Sequence, residues 1–235
     1  MKIAVQISGE FRMLQRCWPN FEQYVLRGFP TQDIDIFLHT WRKEDNPEDP
    51  SISGHGAGLA LFQPRSYFLD SLDDRPDLAE LPRSYTMFCS IHRANECRKH
   101  YEGLLETKYD LVMRYRTDCH FQESIWKLIE PYVRERKSFL CIPRSSLSPE
   151  ADGPTGEDSV CEAVCDWFAI GTADAMDVYC GTYETWRPSG LPILPESMLA
   201  IQLKSRGITQ ETILKRPLFA FDLMNADGTL RSKRV

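Results

Sequence analysis

The sequence lacks the motifs of the commonest nucleotide-binding enzymes. It contains neither the G-x-G-x-x-G fingerprint of Rossmann dehydrogenases nor a Walker A loop, and no internal repeat divides its 235 residues. It has no run of about 18 uninterrupted apolar residues, so it predicts no membrane span. The first residues, MKIAVQISGEF, do not resemble a secretory signal peptide. We therefore expect a cytoplasmic protein without a membrane span.

Metal-binding cysteine pairs and a surplus of positive charge are absent as well. The 8 cysteines include no C-x-x-C pair, and the spacing of cysteines and histidines matches no structural zinc site. The formal net charge is −6, which argues against a nucleic-acid partner because such partners usually need a basic surface. This charge is still compatible with a small anionic ligand held by a local basic cluster.

What the sequence does contain is a regular alternation of strand and helix patterns. Apolar runs predict strands at residues 2–8, 33–40, 64–70, 109–116, 138–143 and 166–171. Helical spacing predicts helices at residues 11–27, 91–105, 125–133, 172–186 and 195–207. The alternation predicts an α/β fold, with a mostly parallel sheet and helices on both faces. We expect one domain at 1–221 and a tail at 222–235, with long loops at 42–58 and 144–160.

Polar residues follow the predicted strands. In open α/β sheets, ligands bind beyond the carboxyl ends of the strands, and glycine at such a position allows the backbone to approach the ligand closely. The residues that this rule brings to one edge are Ser8, Gly9, Glu10, Arg12, His39, Thr40 and residues 116–118.

The stretch YDLVMRYRTDCHF, residues 109–121, carries the most charge at a strand end. Arg114 and Arg116 lie two apart and project from one face of a strand, and guanidinium groups bind phosphate oxygens in bidentate pairs. Asp118 is a candidate ligand for a divalent cation, with His120 as a second ligand that Mn²⁺ tolerates better than Mg²⁺. The alternative is a structural ion pair between Arg116 and Asp118. The stretch predicts a site for an anion such as a diphosphate.

Six segments follow one another along the chain: SGEFR, DIFLHTW, IHRANECRKHYE, KYDLVMRYRTDCHF, CDWFAIGTADAMDVY and LPESMLAIQL. Their order and spacing resemble the small GT-A-type glycosyltransferases found among microbial surface-polysaccharide enzymes and large-virus glycosylation enzymes. The resemblance covers nearly the whole chain. It implies a GT-A-like, Rossmann-like sheet, a nucleotide-sugar donor, and a glycan or other hydroxyl acceptor.

The resemblance also implies roles for particular residues. In that family, the strand that ends in an Asp-x-Asp motif holds a Mn²⁺ or Mg²⁺ ion and the donor diphosphate. Here the matching residues run from Arg116 through Asp118 to His120, so one acid of the motif is replaced. The preceding helix corresponds to one that contacts the donor, which implies that Arg93 and Asn95 do so. SGEFR corresponds to the loop that cups the base and ribose.

The implied reaction releases a nucleoside diphosphate, whose growing charge is stabilised by fixed cations. If the reaction inverts, the acceptor hydroxyl needs a carboxylate base, for which Asp166 and Glu196 are the candidates. Asp166 is equally explained as a strand-start residue, and Glu196 as an acid favoured at a helix start. Two other functions stay open: a non-catalytic domain that binds nucleotide sugars or glycans, and a nucleotidyltransferase.

Overall fold

The fold is built around a central seven-stranded sheet. The computed structural model describes residues 1–43, 52–135, 138–143, 166–186, 195–208, 213–216, 221–224, 227 and 229–231. The strands in chain order are β1 (Ile3–Ser8), β2 (Phe11–Arg12), β3 (Ile34–Trp41), β4 (Ile52–Ser53), β5 (Ser66–Asp70), β6 (Leu111–Tyr115), β7 (Cys119–Phe121), β8 (Leu140–Pro143), β9 (Phe168–Gly171), β10 (Ile213–Arg216), β11 (Phe221–Met224) and β12 (Leu230–Arg231).

The central sheet is mostly parallel, as the alternating pattern predicts. Its strand order is β10-β8-β9-β6-β1-β3-β5, and β9 is antiparallel to both of its neighbours while the other pairs are parallel. Two smaller sheets, β12-β11-β7 and β2-β4, lie beside it. The α/β prediction is confirmed at this level.

Helices cover both faces of the sheet. They are α1 (Leu14–Phe21), α2 (His55–Phe62), α3 (Pro76–Ala79), α4 (Arg83–Leu105), α5 (Ile125–Glu135), α6 (Ala173–Cys180), α7 (Thr182–Trp186) and α8 (Pro195–Ser205), with a π-helical segment at Glu22–Leu26 and a 3₁₀ turn at Leu72–Asp74. Within the described ranges, no helix has the length and apolar character that a bilayer crossing needs.

Two hydrophobic cores follow from the two-residue period of the strands. On β1, Ala4 belongs to the core formed with α4, α6, α7 and α8. Its neighbours Ile3 and Val5 point the other way, into the core formed with α1, α2 and α5. The sheet is therefore buried on both faces, which explains why its strands read as nearly continuous apolar runs.

The helix starts differ from the sequence expectations. The helix predicted from residue 11 begins at Leu14, because Phe11–Arg12 pairs with Ile52–Ser53 instead. Helix α4 begins at Arg83 rather than at residue 91, and its added turns bury Tyr85. Helix α2 occupies part of the segment expected to be a loop up to residue 58. In each case, pairing or burial against a distant segment overrides the local pattern.

The chain end also differs from the expected tail at 222–235. Strand β11 pairs with β7, so that Asp222 lies opposite His120, and Met224 N donates a hydrogen bond to Asp118 O at 3.0 Å. Strand β12 then pairs with β11. Residues 222–224 and 230–231 of the predicted tail thus pair as strands, because β7 presents an edge that they complete. The predicted loop at 144–160 lies outside the described residues.

We expect Gly171→Ala to destabilise the fold. A Cβ atom at this position of β9 would lie 2.4 Å from Phe139 O and 3.1 Å from Leu140 Cα. Overpacking of this kind lowers the free energy of unfolding by about 1–3 kcal/mol. Chemical denaturation of the variant and the wild type measures the difference.

Gly103→Ala is the matched control, because a Cβ atom at this exposed position of α4 meets nothing within 4 Å. This change should raise the unfolding free energy by up to about 1 kcal/mol through helix propensity. Equal effects of the two substitutions would contradict the close approach at Gly171.

Candidate functional site

The strand order reverses between β1 and β6. The chain proceeds outward from β1 to β3 and β5, and then returns to the opposite side of β1 to form β6. In open α/β sheets, the carboxyl edge at such a reversal forms a crevice that binds ligands. A pocket of about 570 Å³ lies at this place, lined by residues that include Ser8, Arg114 and Arg116.

The first wall of the pocket is the loop after β1, which supplies Ser8, Gly9, Glu10 and Arg12 as the sequence predicts. Gly9 has a φ angle of 96°, a backbone conformation that favours glycine. Its carbonyl accepts a hydrogen bond from Thr40 Oγ1 at 2.9 Å. Thr40, predicted as a ligand contact, lies on β3 and thus supports the loop that follows β1.

Two more hydrogen bonds hold the loop, one to β3 and one from the residue pair that follows β6. Gly9 N donates to His39 O at 3.1 Å. Thr117 Oγ1 donates to Arg12 O at 2.9 Å. These bonds attach the loop to the ends of both neighbouring strands, so the ligand edge is preorganised.

Positive charge dominates the pocket. Among the described residues, its lining contains the four arginines Arg12, Arg83, Arg114 and Arg116, and one carboxylate, Glu10. Glu10 makes ion pairs of 3.2 Å with Arg12 and with Lys43. A chain with a net charge of −6 therefore concentrates positive charge at this edge, which favours an anionic ligand.

Arg114 is the most buried of these arginines, with 1% of its side chain surface exposed. One of its terminal nitrogens, Nη1, donates to Trp167 O. Its Nε and the nearby Ser8 Oγ have no hydrogen-bond partner among the described residues. A buried polar group without a partner is costly, and a ligand with oxygen acceptors would satisfy both groups.

The first turn of α4 forms another wall, through residues that include Arg83, Ser84 and Thr86. Its N-cap residue is Pro82, whose side chain cannot accept a hydrogen bond from the free N–H groups of that turn. A helix start carries a partial positive charge that attracts anions. Sequence reasoning missed this wall because it started the helix at residue 91; Pro82 was the available signal of an earlier start.

Asp118, predicted as a metal ligand, is bound by an arginine instead. Arg116 Nε and Nη2 each donate to one oxygen of the Asp118 carboxylate, both at 2.8 Å. Asp118 has 4% of its surface exposed and is not among the described residues that line the pocket. The structural ion pair, which the sequence left open, is present.

His120, the second predicted metal ligand, lies on β7. Its Nε2 is 3.3 Å from Asn20 Nδ2. In the described parts of the chain, no three or more histidine, cysteine, aspartate or glutamate side chains group closely enough to hold a metal ion. With Asp118 paired to Arg116, this donor set does not fit the predicted Mn²⁺ or Mg²⁺ ion.

His39 and Arg93, predicted to contact the donor, meet at Asp70 instead. His39 is fully buried, with Nδ1 2.6 Å from Ser90 Oγ and Nε2 3.2 Å from Asp70 Oδ2. Arg93 donates to both carboxylate oxygens of Asp70, at 3.2 and 3.4 Å. These hydrogen bonds, first that of His39, lower the pKa of Asp70 to about 2. Asp70, which no sequence motif marks as functional, is the centre of this network.

Asn95, another predicted donor contact, lies in a buried network on the α4 face of the sheet. It accepts from Gln6 Nε2 at 2.6 Å and donates to Asp177 Oδ1 at 2.9 Å. Arg98 also donates to Asn95 and to Asp177, and makes an ion pair of 2.8 Å with Glu102. Among the described residues, those lining the pocket include no member of this network. Its contacts connect α4 to β1 and α6.

Asp166, one predicted base, lies near the arginines and near Glu196, the other predicted base. Burial raises the pKa of Asp166, while the charges of Arg114 and Arg116 act to lower it and that of Glu196 to raise it. Glu196 follows Pro195, a residue that lines the pocket. A carboxyl group whose pKa is raised and that lies near arginines of the pocket is a candidate for proton transfer.

Comparison with models of known protein families and with curated proteins finds no match to this chain. The functional conclusion therefore depends on the geometry of the pocket and on the chemistry of its side chains.

The His39–Asp70 network predicts a pH dependence of stability. Burial lowers the pKa of His39 from its ordinary 6.5, so the unfolded chain takes up a proton more readily than the folded one. The resulting stability is present above pH 6.5 and declines as the pH falls below that value. His39→Gln should therefore flatten the change in unfolding free energy between about pH 7.5 and 5.

Chemical denaturation at a series of pH values measures this slope. His100→Gln, at an exposed position of α4, is the control and should retain the wild-type slope. An unchanged slope in His39→Gln would contradict the role given to the buried imidazole.

Proposed function

We propose that this protein is a glycosyltransferase of GT-A type that moves a sugar from a nucleotide-sugar donor to a hydroxyl of a glycan or another acceptor. The observation that carries the proposal is the arginine-lined pocket at the sheet reversal, with Arg114 Nε and Ser8 Oγ unpartnered. A diphosphate has the charge to match the arginines and the oxygen acceptors to satisfy both groups. The mostly parallel sheet is compatible with the GT-A architecture.

Apolar side chains in the lining support a ligand with a ring system. Trp41, Leu72 and Met87 line the same pocket as the arginines. A nucleotide sugar combines these two characters, because its base and sugar rings flank a charged diphosphate. The volume of about 570 Å³ falls within the range of about 300–1,000 Å³ typical of small-molecule sites.

In the proposed reaction, an acceptor oxygen forms a bond to the anomeric carbon of the donor sugar. The bond from that carbon to the β-phosphate oxygen breaks, and its electron pair leaves with the nucleoside diphosphate. Arg114, Arg116 and Arg83 stabilise the charge that grows on this leaving group. If the configuration inverts, Asp166 or Glu196 takes the proton of the acceptor hydroxyl.

A non-catalytic domain that binds nucleotide sugars is the second candidate. The bidentate bond between Arg116 and Asp118 favours it, because this bond occupies the carboxylate that the family resemblance assigns to a metal ion. Such a domain would bind the donor in the same pocket without turning it over.

Donor binding tests the pocket. We expect at least one UDP-, GDP- or dTDP-sugar to raise the melting temperature, and Arg12→Met to weaken its binding about 10-fold or more through loss of a charged hydrogen bond. Arg12 is half exposed, so its replacement should leave the fold intact.

Arg134→Met is the matched control, because Arg134 lies on the exposed surface of α5 and pairs with Glu130. If none of the nucleotide sugars shifts the melting temperature of the wild-type protein, the proposed function is wrong.

Turnover of the bound nucleotide sugar separates the enzyme from the binding domain. Release of nucleoside diphosphate is expected from the wild type, and replacement of the base should lower kcat by about 10²–10⁴-fold with donor Kd unchanged. The variants are Asp166→Asn and Glu196→Gln.

The pH profile identifies the base. If Asp166 is the base, Glu196→Gln removes a charge that raises the pKa of Asp166, so the acid limb of the kcat profile should move to lower pH. Full activity in both variants would contradict the assignment of either carboxylate. Binding without any turnover would favour the second candidate.

A further inference from the structure

We infer that the pocket binds the diphosphate of its ligand through arginines and the start of α4, without a divalent cation. The inference deepens the proposed function and rests on it for the identity of the whole ligand. The presence of an anion site is argued separately, from the contacts of the described residues. It departs from the metal-assisted binding that the family resemblance implies.

Asp118 and Glu10 are not disposed to hold a cation. Both oxygens of Asp118 accept hydrogen bonds from Arg116, and the side chain is buried. Glu10, the carboxylate among the described lining residues, is paired with Arg12 and Lys43. Mg²⁺ and Mn²⁺ prefer several oxygen ligands, and each of these carboxylates would first have to leave a cationic partner.

The charge of the pocket opposes a cation for a second reason. Arg12, Arg83, Arg114 and Arg116 all line it. A divalent ion placed among them would be repelled, whereas a diphosphate would be attracted. The arginines thus have the role that a metal ion has beside a leaving diphosphate: they neutralise its charge.

Three groups of donors converge on an anion in this pocket. Arg114 is buried and has an unpartnered Nε, and the buried Ser8 has an unpartnered Oγ. The first turn of the 23-residue α4 brings the N–H groups of Arg83 and Ser84, which no helical hydrogen bond uses, whereas Tyr85 N donates to Pro82 O. Arg83, in the same turn, adds an exposed guanidinium group. Together they supply the directed donors that phosphate oxygens require.

Asp118 then has a positioning role rather than that of a metal ligand. It holds the planar guanidinium of Arg116 by two parallel bonds, and the Trp167 ring lies 5.8 Å from the Arg116 Cζ. Asparagine at position 118 could still accept one hydrogen bond from Arg116, and the substitution removes a negative charge next to the site. Asp118→Asn should therefore keep or strengthen the binding of an anion.

Calorimetric titration with inorganic pyrophosphate tests the inference directly, since this probe carries the diphosphate without base or sugar. In EDTA, we expect the wild type to bind pyrophosphate, Arg83→Met to bind it about 10-fold more weakly, and Arg134→Met to bind it like the wild type. Asp118→Asn should bind at least as tightly as the wild type. Replacing EDTA by Mn²⁺ should not tighten binding.

The opposite pattern would overturn the inference. Pyrophosphate binding that appears only with Mn²⁺, and that is then lost in Asp118→Asn when circular dichroism shows a folded protein, would make Asp118 a metal ligand. Equal affinity of the wild type and Arg83→Met for pyrophosphate would show that the start of α4 does not bind the anion. Nucleotide-sugar binding that requires Mn²⁺ would overturn the inference but leave the proposed function intact. Pyrophosphate binding in EDTA with no response to any nucleotide sugar would uphold the anion site and reject the proposed function.

Discussion

Parallel pairing of β1 with β3 on one side and β6 on the other is the interaction on which the site depends. The register places Ser8 opposite His39, and Ile7 opposite Tyr115, so β1 and β6 end within one residue of each other and β3 runs two residues further. The loop after β1 can then be bonded from both sides, by Thr40 of β3 and by Thr117, which follows β6. A shift of one residue would move every side chain of β1 to the other face and separate the loop from these partners.

Helix α4 is the second element that shapes the site, because polar contacts along its length determine how it lies on the sheet. Ser90 and Arg93 face the His39–Asp70 network, while Asn95 is bonded to Gln6 on β1. Buried polar networks of this kind specify one arrangement of their elements when their members are hydrogen-bonded. These contacts fix the rotation of the helix and bring its uncapped first turn to the pocket.

The electrostatic character of the pocket is set by pairing as much as by composition. Arg116 is neutralised in part by Asp118, and Arg12 by Glu10, whereas Arg114 donates to a backbone carbonyl and keeps an unpartnered Nε. Among the described residues, Arg114 therefore makes no ion pair with a carboxylate, although Arg116 does. Asp166 lies near both arginines, and burial raises its pKa.

Local pattern was sufficient for six of the seven strands of the central sheet, because each is an apolar run whose period is a property of a few residues. It did not predict β10, Ile213–Arg216. It also predicted that Ser8, Gly9, Arg114 and Arg116 would meet at one edge, since parallel strands end together. Tertiary structure alone decided that Asp118 is bound by Arg116, that His39 turns to Asp70, and that α4 begins at Arg83. The physical reason is that strand order, helix rotation and ion-pair choice depend on contacts between segments far apart in the chain, about which the spacing of neighbouring residues carries no information.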